Sequence, residues 1–264
     1  LTEEPRREAD ASHLRLTGVP FQMSTAAPPL RLVANLGKCF SGSTVHGVGF
    51  VLTPEEMKEL IAKDLRNSEV IEPYLTGTDL NTHPSQLSGR FVINFKEWPL
   101  ERAEAFPDVL KHLEVHAKPG RLGARAPISS APWWRFWRVR PSLYESIGDR
   151  RRVLARARIS EHSAFVFVDY RPVFSDQVIV FVLDDWSSFA MLQSFAHEEW
   201  TVHTGATMRF DRRYVPADCF ETFPFASPSA PLAAVGERYY EHRRSHMFGA
   251  SEGLTKTYNR FHDP

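Results

Sequence analysis

Cysteine is scarce in this chain of 264 residues, which holds only Cys39 and Cys219. The two stand far apart, make no zinc-ligand spacing and give no disulfide framework, so both are expected to be reduced structural thiols. Net charge is absent as well: 32 Lys and Arg balance 32 Asp and Glu, and no global field draws a polyanion to the chain or repels one. Long apolar runs are missing too. None approaches the roughly 20 residues that span a bilayer, and the first 30 residues lack the charged-then-apolar pattern of a secretory signal. The expectation is a cytoplasmic protein with no membrane partner. Its 42% hydrophobic and 24% charged residues are the composition of a folded globular chain with ample core.

Catalytic signatures are also lacking. Gly37-Lys-Cys-Phe-Ser-Gly-Ser-Thr44 has no lysine after its second glycine to reach a β- or γ-phosphate, and Gly47-Val-Gly-Phe-Val-Leu52 has no third glycine for a dinucleotide. No Gly-x-Ser-x-Gly elbow occurs. The loop that grips a flipped adenine and the glycine-rich turn that holds a methyl donor are missing, and so is an acidic triad with lysine for two-metal cleavage. His197 and His203 flank Glu198 and Glu199, but on a helix they stand six apart and diverge by about 240° around the axis, where zinc needs a spacing of four. Asp184-Asp185 fits a metal or a helix start, and the hydroxyl-rich residues behind it favour the start. We therefore expect a chain that binds and does not react, with no cofactor or metal of its own.

The charged and then Pro/Ala/Ser-rich residues 1–29 read as a linker and lead-in. From Leu30 the pattern changes to short β-type runs at Leu30–Asn35, Gly47–Leu52 and Arg90–Phe95, the last alternating polar and apolar. Thr53-Pro-Glu-Glu56 predicts a capped helix with Met57, Leu60 and Ile61 on one face. A second helix is expected from Pro99 through Ala103, interrupted by Pro107. Val153–Ile159, Ala164–Val168 and Gln177–Leu183 read as strands able to pair antiparallel. A helix from Ser187 to His197, with Phe189, Leu192, Phe195 and Ala196 inward, follows, and helix returns over Leu232–Arg244. The fold class expected is α+β, with mixed, mainly antiparallel sheets, flanking helices and a helical end. The organisation expected is lead-in 1–29, main domain 30–226 and the start of a helical region 227–264. Leu1 at one end and Gly253–Pro264 at the other point to a piece of a longer protein.

Charge is concentrated at one place. Eleven Lys and Arg against Glu145 and Asp149 lie between Lys118 and Arg158, around Pro132-Trp-Trp-Arg-Phe-Trp-Arg-Val-Arg-Pro141. The rings of Trp133, Trp134, Phe136 and Trp137 suit a core. The cations repel one another unless something neutralises them, and a nucleic-acid backbone does so.

Several segments together resemble the target recognition region of the MmeI-like single-chain restriction-modification enzymes, which fuse an adenine-specific DNA methyltransferase to a recognition domain. They are Phe40-Ser-Gly with Gly47–Leu52, Pro73–Asn81, Phe91–Phe95, Pro119-Gly-Arg121, Trp133–Tyr144, Phe189–Trp200, Phe220-Glu-Thr-Phe-Pro-Phe225 and Gly253–Pro264. Asn94 and Ala226 depart from the family's usual Asp and Pro. The resemblance implies a reader of double-stranded DNA with no catalysis of its own. It also implies a methyltransferase domain upstream in the same chain, which would hold S-adenosylmethionine, in a parent able to serve restriction or phage defence. In the family the recognition residues precede the Phe-Pro-Phe segment, which here means Arg209, Asp211, Arg212 and Arg213. Arginine can grip guanine O6 and N7, and Asp211 can accept from cytosine N4 or hold an arginine, although an Asp–Arg surface network fits the same residues. Ser41, Ser43, Thr44, Lys118, Arg121 and Arg135 are the expected backbone contacts. Two readings from other classes stay open: a small metal-dependent nuclease or hydrolase built on His197, Glu198 and Asp184 or Asp185, and a protein scaffold docking through the Trp-rich segment.

Overall fold

The computed structural model describes residues 29–208 and 211–262, so nearly all of the lead-in, together with Arg209, lies outside the described residues. A 3-10 turn at Val33–Asn35 precedes strand β1 (Cys39–Ser41), and another at Val48–Phe50 precedes β2 (Val51–Leu52). Helix α1 (Pro54–Lys63) begins with the capping box read from the sequence. The Thr53 hydroxyl accepts from the Glu56 N–H, and the Glu56 carboxylate accepts from the Thr53 N–H. Leu60 is buried, with Met57 and Ile61 packed on the same core. Strand β3 (Ile71–Leu75), helix α2 (Gly77–Thr82) and strand β4 (Phe91–Ile93) follow, α2 being started by a second box between Thr76 and Asp79. Helix α3 (Leu100–Ala103) ends before Pro107, which opens α4 (Pro107–His116) at a position where its missing N–H has no partner to lose.

After α5 (Lys118–Leu122) and α6 (Pro141–Ile147) the chain forms β5 (Val153–Ala157), β6 (Ile159–Ser160), β7 (Val166–Val168), β8 (Val173–Phe174) and β9 (Val178–Phe181). Helices α7 (Trp186–Leu192) and α8 (Phe195–Thr204) lead to β10 (Ala206–Met208) and β11 (Asp211–Arg213). A π-helical turn at Pro216–Phe220, the long α9 (Ala230–Ala250) and α10 (Leu254–His262) complete the order. The three strands expected between 153 and 183 do pair antiparallel, in a sheet ordered β1-β9-β5-β7. A second sheet, β2-β4-β3-β8, is antiparallel except at β3–β8, and a third, β10-β11-β6, is antiparallel throughout. The class is α+β.

The first sheet is buried on both faces, which is why its strands read as continuous apolar runs. Val153, Ala155, Val178 and Val180 face a core shared with Leu143, Met247 and Leu254. Leu154, Ile179 and Phe181 face the opposite core, with Phe165, Phe189, Tyr214 and Phe220. Each fully buried aromatic contributes roughly 2–3 kcal/mol, and through Tyr214 this second core anchors the end of β11.

Four expectations are corrected. Leu30–Asn35 is not a strand, because its apolar residues have nothing to pack on: Leu30 is 83% and Val33 85% exposed. Only the last two residues of Gly47–Leu52 are extended, the rest being a turn whose Gly47 takes φ of 141°. Phe91–Ile93 does not alternate, since Val92 and Ile93 are both buried. The single helix expected from Ser187 is two, because Ser194 caps a new one by accepting from the His197 N–H; this turns Phe195 outward, 71% exposed, with Ala196 also at the surface. Among the described residues no helix is long and apolar enough to cross a membrane.

Candidate nucleic-acid interface

Strand β11 is the central strand of its sheet. Through the backbone Arg213 faces Ala206 on one side and Ile159 on the other, Arg212 faces Thr207 and Ser160, and Asp211 faces Met208. The residue after it fixes the strand to the core. Tyr214 is buried, its ring packed edge-on against Phe165 and Phe181, and its hydroxyl lies 3.2 Å from Nε2 of His197. Burial, reinforced by the nearby Arg156 guanidinium, pushes the His197 pKa down to about 3, so this histidine stays neutral. The Arg156 guanidinium lies 4.7 Å from the centre of the Tyr214 ring and donates to the Ala157 carbonyl and the Ser163 hydroxyl. Gly205 is needed where α8 turns into β10, because a Cβ there would meet the Thr201 carbonyl oxygen at 2.5 Å.

Beside β11 lies a groove of about 600 Å³, lined by Arg213 and Arg158, by Thr78 and Asn81 of α2, and by Asp176 and Gln177. It is polar and cationic, with Asp176 its one carboxylate among the described residues. The charge continues beyond it. Burial and then Arg138 push the Arg140 pKa down, while burial, Arg213 and, more weakly, Arg140 push that of Arg158 down. Arg138 thus adds to the positive field at Arg140, Arg140 and Arg213 add to that at Arg158, and Asp176 offsets both Arg140 and Arg158. Arg138, Arg140 and Arg158 belong to the basic stretch between Lys118 and Arg158. Arg158 meets Arg213 because β6, which follows Arg158 directly, pairs with β11, and no local motif announces it.

The sequence-predicted backbone contacts divide. Ser43 is buried, with its hydroxyl donating to the Val139 carbonyl and lying 3.2 Å from the Tyr144 hydroxyl, so it is a structural group and not a phosphate ligand. Arg121 is corrected in the same way. It is fully buried and donates through Nη1 to the carbonyls of Val45 and His46, both at 3.3 Å, and through Nη2 to Pro132 at 3.2 Å. Its burial lowers its pKa, and the three carbonyls, not a phosphate, stabilise its charge. Ser41 and Thr44 are half-buried, Thr44 bridging Arg138 through paired backbone hydrogen bonds. Lys118 is half-buried, 2.8 Å from Glu114 and above the Trp133 ring, and Arg135 donates to the Glu97 carbonyl. Of the base-reading candidates, Arg213 reaches the groove. Asp211 and Arg212 are placed through their backbone pairing alone, and Arg209 lies outside the described residues.

The mutual repulsion expected in the Lys118–Arg158 stretch is smaller than its count implied. Arg121 and Arg156 are buried on carbonyls and rings, and Arg152 lies over Phe167 and Trp186 while donating to the Asp184 carbonyl. Trp133, Trp134 and Phe136 pack into the core with Phe50 and Phe95, which takes the Trp-rich segment away from a docking scaffold. A metal-dependent hydrolase is not assembled either. The Asp185 carboxylate caps α7 on Ser188, His197 is sealed against Tyr214 and Phe223, and no group of three or more His, Cys, Asp or Glu able to hold a metal occurs among the described residues.

Comparison with known proteins gives the site its context. A solved structure of the Type IIL restriction-modification enzyme MmeI in complex with DNA has the same fold at 20% identity, with a TM-score of 0.67 over 87% of this chain and 31% of that one. The chain thus spans about a third of that enzyme. No curated protein matches it. The family model for the MmeI target recognition domain matches residues 30–227, three quarters of the chain. The chain belongs to the MmeI target recognition domain family.

Proposed function

We propose that this chain reads a specific sequence in double-stranded DNA and presents it to a methyltransferase domain of the same polypeptide. The observation that carries the reading is the groove beside β11, where Arg158 and Arg213 face Asp176 as the one carboxylate among the described residues, an excess of cation that it does not neutralise. Phosphate oxygens and the acceptor edge of guanine are the DNA groups that match it. Membership of a target recognition family and the fold shared with an MmeI enzyme solved with DNA support the same reading.

In this proposal Arg209, Asp211, Arg212 and Arg213 supply base contacts, while Ser41, Thr44, Lys118 and Arg135 approach the backbone. Chemistry belongs to the parent enzyme, an adenine-N6 methyltransferase with or without cleavage, acting in the cytoplasm. S-adenosylmethionine is bound there and by no residue of this chain.

The test is a fluorescence-anisotropy titration of labelled duplex DNA over a range of salt. With about four to six phosphates neutralised, at roughly −0.9 each, the slope of log K against log salt is expected near −4 to −5. A slope near zero, or equal binding to an uncharged duplex analogue, contradicts the proposal.

A further inference from the structure

The groove beside β11 has a wall that lies beyond the residues matched to the family. Helices α9 and α10 come after residue 227, yet Thr255 of α10 lines the groove together with Thr78 and Asn81 of α2 and Ile159 of β6. The direct link between α2 and β6 is long: Asn81 Nδ2 donates to the Ser160 hydroxyl at 3.5 Å. The segment from Gly253 through α10 touches both sides.

On the α2 side the contact is backbone on backbone. Gly253 lies so close to the end of α2 that a Cβ would stand 2.3 Å from the Thr82 carbonyl carbon and 2.5 Å from the Asn81 carbonyl oxygen. Its φ lies outside the left-handed region, so space alone excludes a side chain. On the β6 side α10 holds His162, two residues beyond the Ser160 that pairs with Arg212. The His162 ring lies within 8° of parallel to His262 at 5.3 Å and within 25° of Tyr258 at 5.6 Å, and its Nε2 N–H donates to Oδ1 of Asn259. Helix α10 is itself tied to the core. The Tyr258 hydroxyl accepts from the buried Arg243 of α9, which also donates to the Gln193 amide oxygen and to the Phe165 carbonyl just before β7.

An anchored helix seated between two walls sets the distance between them, and groups that read a base edge must be held to within about 0.5 Å. We propose that α10 is the spacer that fixes the width of the groove beside β11, with Gly253 and His162 as positioning residues for base recognition. The proposal rests on the reading of the chain as a DNA-recognition domain. It adds residues that act through the shape of the groove and not by touching a base.

The chain and its Gly253→Ala, His162→Ala and Arg121→Ala variants are each used to select from a pool of randomised duplexes. The bound pools are sequenced, the salt dependence of binding is measured, and circular dichroism follows thermal unfolding. Arg121 is buried outside the groove, so Arg121→Ala is a destabilised control expected to keep the chain's motif. Gly253→Ala must push the end of α2 away from α10, and His162→Ala releases the β6 side. In both, preference at one or more base positions is expected to fall at least about fivefold, while the salt slope stays that of the chain. An unchanged motif in either folded variant overturns the proposal, since a structural role alone lowers stability without touching preference. Equal relaxation in Arg121→Ala overturns it too. An unfolded Gly253→Ala leaves His162→Ala to decide. If the unsubstituted chain selects no motif, the DNA-recognition reading fails and takes the proposal with it; if it selects one and the Gly253 and His162 variants keep it, the proposal alone fails.

Discussion

The Tyr214 hydroxyl lies 3.2 Å from Nε2 of His197, and this buried pair ties the end of β11 to α8. Among the described residues Nδ1 of the same ring has no well-formed hydrogen bond, only a weak approach to the Leu192 carbonyl, and burial keeps the histidine neutral. Removing the hydroxyl in Tyr214→Phe strands the second nitrogen as well. A loss of about 1–3 kcal/mol is expected in urea unfolding, with a lower midpoint and an unchanged slope.

The same pair sets a pH dependence. The folded His197 pKa is pushed down to about 3 from an ordinary value of 6.5, so between these values the unfolded chain binds a proton that the folded chain refuses. This contribution to stability is intact above about pH 6.5 and is lost progressively as pH falls towards 3. In His197→Gln the corresponding part of the stability profile is expected to flatten, as measured by denaturation midpoints at a series of pH values.

Arg121 and Lys118 are expected to separate folding from binding. Arg121→Ala leaves three buried carbonyl contacts unmade and is expected to lower stability by at least about 2 kcal/mol without altering the salt slope of the folded fraction. Lys118→Ala is expected to leave the melting temperature nearly unchanged and to flatten the slope by about one unit, equally for every DNA sequence.

These contrasts mark the limit of what the sequence discloses. The Thr53–Glu56 capping box and the Asp185 helix start are local chemistry, and both are legible from a few adjacent residues. The strands from Val153 to Phe181 are legible because a sheet covered on both faces needs an apolar residue at nearly every step, the buried Arg156 being the exception. Lys118-Pro-Gly-Arg121 looks like an exposed basic turn, yet Arg121 is buried, because its acceptors at Val45, His46 and Pro132 arrive only with the tertiary fold. The groove is hidden for the same reason: Asn81, Arg158, Asp176 and Arg213 come from four separate elements or turns. The split at Ser194 is not legible locally, because the apolar period runs on through it and masks the serine that caps the second helix.

The chain is expected to carry no methyl-transfer chemistry of its own. Its sequence has neither the loop for a flipped adenine nor a glycine-rich turn for a methyl donor. Calorimetric titration with S-adenosylmethionine is expected to give no heat beyond dilution. Stoichiometric binding at low micromolar concentration contradicts this.

The central claim is that β11 and the residues around it read base sequence. The direct measurement is selection from randomised duplexes by the chain, by Arg213→Ala, and by a variant with alanine at Arg209, Arg212 and Arg213 together. The account predicts a defined motif for the chain, one relaxed base position at a cost of about 1–3 kcal/mol for Arg213→Ala, and broader relaxation for the triple variant. An unchanged motif in the triple variant contradicts it.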